Sequence, residues 1–264
     1  MVLPTLDRQR ERCHARLDGP ADAPVLVLSN SLGTNLSMWD DQMPALTERF
    51  RVLRYDARGH GSSPVTRGAY SMAMLGQDVL LLLDAFEIER VQFCGLSMGG
   101  MTGMWLGIHA SERIDSLVLA NTAPRIGTAA TWNARIDAVR QGGMGAIAEL
   151  VLERWFTAGF RARAPLVVGR IAAMLAATPP AGYVACCGAI RDADQWPGIA
   201  DIRCPTLVIA GTEDVSTPAA EGRRMAERIA GARYVELDAA HISNVEAAER
   251  FTAELIAFLP RSGA

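Results

Sequence analysis

Six short apolar runs, at residues 24–29, 50–56, 91–95, 117–120, 206–210 and Arg233–Leu237, are separated by stretches with the spacing of helices. This alternation predicts a mostly parallel sheet covered by helices, because parallel neighbours need long crossover connections and helices supply them. Most of the runs are apolar at every position rather than at every second one. Strands of that kind are buried on both faces, which points to a doubly wound α/β sheet. An antiparallel lead-in strand is expected near residues 10–17.

Between residues 124 and 197 the strand pattern stops, and helices are expected at 132–141, 144–155, Pro165–Ala177 and 183–192. The chain is therefore expected to form a core of residues 1–123 and 198–264, with a helical cap of residues 124–197 inserted between two strands. The cap holds eight arginines and five acids and so carries +3, leaving −6 for the remainder of a chain whose net charge is −3. Most of these arginines are expected on solvated helix faces, yet the asymmetry favours an anionic small molecule beneath the cap.

Composition removes whole function classes. A net charge of −3, with no dense basic run, offers nucleic acid no electrostatic footprint. All 26 basic residues are arginine, so there is no lysine for a Schiff base, a pyridoxal site or a phosphate-binding P-loop. The five cysteines, Cys13, Cys94, Cys186, Cys187 and Cys204, are odd in number and lack metal-ligand spacing, so reduced thiols and no metal site are expected. The N-terminal residues show no apolar core of a signal peptide, and no stretch approaches a membrane span. A cytoplasmic protein with no cofactor and no membrane partner is the expectation. The sequence carries no signal for oligomeric state.

The chemistry is concentrated in Gly95-Leu96-Ser97-Met98-Gly99-Gly100, which follows the 91–95 run and precedes a helical stretch beginning near Met101. A strand that turns abruptly into a helix lifts the residue at its apex out of the backbone. Glycines two before and two after that residue give the turn the room it needs. Ser97 is thus the candidate nucleophile, and a serine hydroxyl needs a base within hydrogen-bonding reach, usually a histidine oriented by a carboxylate.

Four histidines are available. His14 lies near the N-terminal edge, His60 in the loop Arg58-Gly59-His60-Gly61, and His109 near the end of the helix after the turn, where contact with backbone carbonyls is expected. His241 follows the last predicted strand, in Asp238-Ala239-Ala240-His241, and is the candidate base. Asp214 ends Gly211-Thr212-Glu213-Asp214 just beyond the 206–210 run, at the carboxyl edge of the sheet where sites gather, with Glu213 as its competitor. The other common position for this acid, after the 117–120 run, holds Asn121. The order Ser97, Asp214, His241 matches that of strand-turn-helix serine hydrolases. Two N–H donors are needed for the oxyanion, and the candidates are the amides of Met98 and of Leu32, the latter in the loop Asn30-Ser31-Leu32-Gly33. Taken alone, these residues describe an ester or lactone hydrolase.

Over nearly its whole length the chain also resembles the 3-oxoadipate enol-lactonases of bacterial aromatic catabolism, members of the α/β-hydrolase superfamily. The cap carries most of the resemblance: Asn121-Thr122-Ala123 through Arg125-Ile126-Gly127, Trp132-Asn133-Ala134-Arg135-Ile136, Glu153-Arg154-Trp155-Phe156, and Cys186-Cys187-Gly188-Ala189-Ile190-Arg191-Asp192-Ala193-Asp194. Asn30-Ser31 depart from the His-Gly that many relatives carry at the oxyanion loop. The resemblance implies an α/β-hydrolase fold, with the catalytic serine, aspartate and histidine at Ser97, Asp214 and His241. It also implies hydrolysis of a small anionic lactone, the enol-lactone, to 3-oxoadipate in the β-ketoadipate pathway.

A substrate carboxylate calls for arginine. Arg135 is the first candidate, because Trp132 stands three residues earlier on the same predicted helix and can share its face. Trp132 serves equally well as cap packing, and Arg125 and Arg191 are alternatives for the carboxylate. The same triad would also suit a carboxylesterase, a carbon–carbon bond hydrolase or a perhydrolase, and a hydrolase-fold ligand receptor is the non-enzymatic alternative. Haloalkane dehalogenases and epoxide hydrolases need a carboxylate nucleophile, against which Ser97 argues.

Overall fold

All six apolar runs enter one sheet, joined by a seventh strand at its N-terminal edge. The computed structural model describes residues 13–260. Its strands are β1 (Ala15–Asp18), β2 (Val25–Ser29), β3 (Arg51–Tyr55), β4 (Val91–Leu96), β5 (Ile114–Ala120), β6 (Thr206–Gly211) and β7 (Arg233–Leu237), in the spatial order β1-β3-β2-β4-β5-β6-β7. Every pairing is parallel except β1 with β3, where Ala15 faces Tyr55 and Asp18 faces Val52. The lead-in strand therefore forms as expected from Ala15 onward, while residues 10–12 of that expectation lie outside the described residues.

β4 and β6 are buried at every position, as their uniformly apolar character requires. The helices longer than one turn are α1 (Met72–Ala85), α2 (Met98–His109), α3 (Ala129–Gly142), α4 (Ala148–Trp155), α5 (Ala158–Arg163), α6 (Pro165–Ala177), α7 (Pro180–Asp192), α8 (Ala219–Arg228) and α9 (Ala248–Phe258). α3 to α7 all lie between β5 and β6 in the chain. Among the described residues no single helix is long and apolar enough to cross a membrane.

Local chemistry accounts for most differences from the sequence expectation. α3 begins earlier than expected because Thr128 caps it, accepting from the Thr131 N–H while the Thr131 side chain accepts from the Thr128 N–H. The single helix expected at 144–155 is a 3-10 turn at Met144–Ala146 followed by α4. α5 was not anticipated; its six residues are started by Thr157, whose hydroxyl accepts from the Phe160 N–H. α7 reaches back to Pro180, a residue suited to the first turn because its missing N–H would be unpaired there anyway.

After the edge strand β1, the chain crosses to β2 in the interior of the sheet. From β2 it passes to β3 on one side, then returns to β4 on the other, so the connections leaving β2 and β4 diverge at their carboxyl ends. A crevice necessarily opens at such a switch point. The turn from β4 into α2 sits there, and α2 begins at Met98 rather than near Met101, directly after Ser97. Ser97 has φ 58° and ψ −115°, a strained conformation for a residue with a Cβ, worth about 1–3 kcal/mol.

The strain is held by hydrogen bonds from Ser97 N–H to Ala120 O (2.9 Å), Gly99 N–H to Asn30 O (3.0 Å) and Thr122 Oγ1 to Ser97 O (2.8 Å). A Cβ on Gly95 would collide with the Gly99 carbonyl oxygen, and one on Gly99 with the Ser29 carbonyl oxygen. Gly99→Ala is therefore expected to lower the unfolding free energy by about 1–3 kcal/mol. Gly145→Ala, where a Cβ meets nothing within 4 Å, should stay within about 0.5 kcal/mol of wild type. Urea titrations of the two variants check both values.

Candidate active site

β4, β6 and β7 each deliver one polar group to the crevice. The turn after β4 presents Ser97, the loop after β6 presents Asp214, and the loop after β7 presents His241. Ser97 Oγ lies 2.9 Å from His241 Nε2, and His241 Nδ1 lies 2.8 Å from Asp214 Oδ2. With a carboxylate at Nδ1 the ring carries its proton there, leaving Nε2 as the acceptor for the serine hydroxyl. All three residues are buried, Ser97 at 7%, Asp214 at 4% and His241 at 4% exposure. Glu213, the competing acid, is exposed and has no contact with His241.

Asp214 is heavily supported. Its Oδ1 accepts from the N–H groups of Ser216 (2.8 Å) and Thr217 (3.0 Å), and its Oδ2 accepts from Thr217 Oγ1 (2.6 Å) and Asn121 Nδ2 (3.0 Å) as well as from the imidazole. Burial alone pushes this carboxyl up, but the charge and hydrogen bond of His241, with the Thr217 hydroxyl and N–H, outweigh it and bring it down to about 2. Asn121, at the other acid position of the sequence reading, thus orients the acid rather than replacing it. Its Nδ2 also donates to Ala240 O (3.1 Å), and its Oδ1 accepts from Ser243 Oγ (2.5 Å). Neither Asn121 nor Thr217 was among the predicted site residues. The first stood at a marked position, while the second had no sequence signal beyond following an acid by three residues.

The loop of His241 is tied to the cap. Glu246, only 9% exposed, accepts from the Ala240 N–H (3.0 Å) and from the Thr157 hydroxyl (2.5 Å), and Ile242 N–H donates to Trp155 O (3.0 Å). Both amides that flank His241 in the chain are therefore held from the α4–α5 junction. His109, by contrast, rests its ring 5.0 Å from that of Trp105, in place of the carbonyl contacts expected of it, and is remote from Ser97 in the fold.

Ser97 and His241 open into a cavity of about 160 Å³, bordered by Leu32, Trp132, Arg135, Arg154 and Trp155. Trp132 borders this cavity and is also buried in the packing of the cap. Its Nε1 donates to Ile126 O (2.6 Å), which locks the cap loop, while its ring underlies the Arg135 guanidinium with Cζ 5.0 Å from the centroid. Arg135 and Arg154 have no ion-pair partner among the described residues, so two guanidinium groups remain available to an anion. Arg125 instead pairs with Asp194 (3.4 Å), and Arg191 donates to Asp192 (2.7 Å) and Asn133 (2.8 Å); neither borders the cavity.

Leu32 borders the same cavity as Ser97, and Met98 follows Ser97 at the first position of α2. Among the described residues neither amide has an acceptor, although the N–H groups of Ser31, Gly33, Thr34 and Gly99 around them are all used. Two unspent donors beside a hydroxyl that is hydrogen-bonded to a base form an arrangement suited to acyl transfer. No group of three or more His, Cys, Asp or Glu side chains capable of holding a metal occurs among the described residues.

The profile of the family described as "alpha/beta hydrolase fold" matches residues 24–248. A 3-oxoadipate enol-lactonase of Acinetobacter baylyi is 44% identical over 92% of this chain and 91% of its own length. The crystal structure of the enol-lactonase from Burkholderia xenovorans superposes with a TM-score of 0.92 at 49% identity, covering 93% of this chain and 95% of that one. A hydrolase from Pseudomonas aeruginosa, 52% identical, superposes at 0.90 over 92% of each chain.

The depressed Asp214 carboxyl makes folding depend on acid. Its folded value of about 2 lies below the unfolded value of about 3.9, so the folded state binds fewer protons between them. The stabilisation, roughly 2–3 kcal/mol, is fully present above about pH 4 and is lost as the pH falls through 2. Denaturant unfolding of wild type and Asp214→Asn across this range is expected to show their stability difference shrinking toward the acid end.

Proposed function

The chain belongs to the α/β-hydrolase family, and within it to the 3-oxoadipate enol-lactonases; from that premise we propose that this lactone hydrolase opens 3-oxoadipate enol-lactone to 3-oxoadipate through an acyl-enzyme on Ser97. The observation that carries this reading is the chain of hydrogen bonds from Ser97 through His241 to Asp214, facing a cavity walled by Trp132 and by Arg135, which has no carboxylate partner among the described residues.

In this mechanism Ser97 Oγ attacks the lactone carbonyl carbon as His241 Nε2 takes the hydroxyl proton. Asp214 stabilises the imidazolium that forms. The carbonyl oxygen, now an oxyanion, receives the N–H groups of Leu32 and Met98. Collapse of this tetrahedral species breaks the bond between the carbonyl carbon and the ring oxygen, and the ring oxygen leaves as an enol carrying the proton returned by His241. Because the enol remains tethered through the acyl chain, reclosure competes with hydrolysis. Ketonisation removes that nucleophile. A water then gives a proton to His241 and its oxygen to the acyl carbon, and Ser97 leaves with the proton as 3-oxoadipate forms.

The substrate's free carboxylate would lie against Arg135, whose planar fork matches it and whose stacking on Trp132 limits its freedom. Arg154, across the same cavity, adds positive potential. These contacts agree with the cap's excess of arginine over acid and with an anionic substrate. The reaction belongs to the bacterial breakdown of aromatic compounds.

Freshly generated enol-lactone and simple aryl esters, given to wild type and to Ser97→Ala, test this function. Wild type should strongly prefer the enol-lactone, and the variant should lose at least about 10⁴-fold in kcat. Turnover of aryl esters alone would leave the triad standing and remove the substrate. For Arg135→Ala, kcat/KM for the enol-lactone is expected to drop roughly 10–100-fold, the size of a lost charge-assisted contact, with little change for a lactone lacking the carboxylate. An equal penalty on both substrates would dismiss Arg135 as the anchor.

A further inference from the structure

We propose that His60 is a positioning residue for the oxyanion site, its neutral imidazole fixing the loop that aims the Leu32 N–H at the Ser97 carbonyl adduct. The proposal rests on Leu32 being an oxyanion donor.

His60 is completely buried, and both ring nitrogens are committed. Gly33 N–H donates to Nε2 at 2.9 Å, and Nδ1, 3.2 Å from Arg58 O, donates to that carbonyl. The two partners specify one state of the ring. An acceptor is required at Nε2 and a donor at Nδ1, so an imidazolium would set an N–H against the Gly33 N–H. Burial pushes the ring down, only partly offset by the Arg58 carbonyl and the charge of Asp56, to about 4. Its other ionisable neighbour is the Cys186 thiol from α7, 4.0 Å from Nδ1, and Arg58 itself is engaged by Asp78 of α1.

The peptide that His60 holds adjoins the one that bears the Leu32 N–H. Gly33 has φ +81°, and a Cβ there would meet Leu175 at 2.7 Å and Tyr183 at 3.1 Å, so cap side chains close the loop from the opposite side. The loop of His60 is itself seated against the cap, since a Cβ on Gly59 would lie 2.6 Å from Gly182 Cα at the start of α7. Asn30, by contrast, is anchored below, through Tyr55 O (2.7 Å) and Trp39 Nε1 (2.8 Å). Asn30 fixes where the loop leaves β2; His60 is the only side chain that receives an N–H from the stretch between Leu32 and Thr34 among the described residues. The Gly33 amide is therefore oriented by one imidazole lone pair.

Four proteins decide the matter: wild type, His60→Leu, His60→Gln, and a protein with a backbone ester in place of the Leu32 amide, each assayed on a simple aryl ester and on the enol-lactone. The aryl ester keeps the result independent of the cap's substrate preference. His60→Leu is expected to lower kcat about 10²-fold, the loss typical of a misplaced oxyanion donor, with KM within about threefold of wild type. His60→Gln, which can accept from Gly33 and donate to Arg58, should recover at least about tenfold of that loss.

Should His60→Leu fail to fold, a backbone ester at Gly33 removes the same hydrogen bond without changing volume and is read the same way. A folded His60→Leu or Gly33 ester with kcat within about threefold of wild type, or a Gln variant no better than Leu, overturns the positioning role. A Leu32 ester with unchanged kcat overturns the oxyanion assignment itself, and a Leu32 ester that loses activity while His60→Leu does not leaves that assignment intact and rejects His60 alone.

Discussion

The strained backbone of Ser97 is the constraint on which the rest of the site depends. A residue with a Cβ at φ 58° persists only where its surroundings over-determine it, and here three hydrogen bonds, from β5, the segment after it and the segment after β2, do so. β5 accepts its N–H through Ala120, Thr122 holds its carbonyl, and the segment leaving β2 receives the Gly99 N–H through Asn30. These contacts lift the hydroxyl into the crevice and at the same time bring the β2 loop alongside it. The apex thereby acquires a nucleophile, the start of a helix and a neighbouring amide together. Close approach of β2 to α2 leaves no space for a side chain at Gly99, which is why the glycines follow from the turn and not from flexibility.

A second dependency runs from the acid to the base. Asp214 spends its oxygens on two backbone N–H groups, two side chains and the imidazole, so the carboxylate has one orientation and remains ionised despite burial. Asn121 completes this by bridging Asp214, Ala240 and Ser243, elements far apart in sequence. His241 is consequently held on both sides, by the acid below and by the cap-tethered amides that flank it. Through Glu246 and Trp155 the segment that walls the substrate cavity also secures the base. Cap and catalytic loop are hydrogen-bonded to each other at this edge.

Much of this was legible in the chain because it depends on local chemistry. Uniformly apolar runs could only be strands buried on both faces, and the Gly-x-Ser-x-Gly turn demands its geometry wherever it occurs after such a strand. Ser97, Asp214 and His241 could be selected because each follows a recognisable strand, and the structure brings these three within hydrogen-bonding distance. Trp132 and Arg135 share a helix face because they are three residues apart, a relation that spacing alone conveys. Helix ends were read less well, since the side-chain caps at Thr128 and Thr157 and the break after Ala146 leave little trace in periodicity.

What tertiary structure alone decided are the contacts between residues distant in the chain. Asp214 rather than Glu213 meets the imidazole because the loop after β6 buries one and exposes the other, although they are adjacent in sequence. Arg135 rather than Arg125 or Arg191 borders the cavity because the latter two find partners on the cap surface. Glu246 and His60 have no motif that marks them, yet each meets groups from another part of the chain. The sequence by itself determined the sheet, the strained turn and the chemical type of each reacting group, because these arise from neighbours along the chain. Which buried polar atoms face one another was decided only on folding, because every such atom must find a partner and the partners come from whichever segment the packing brings near.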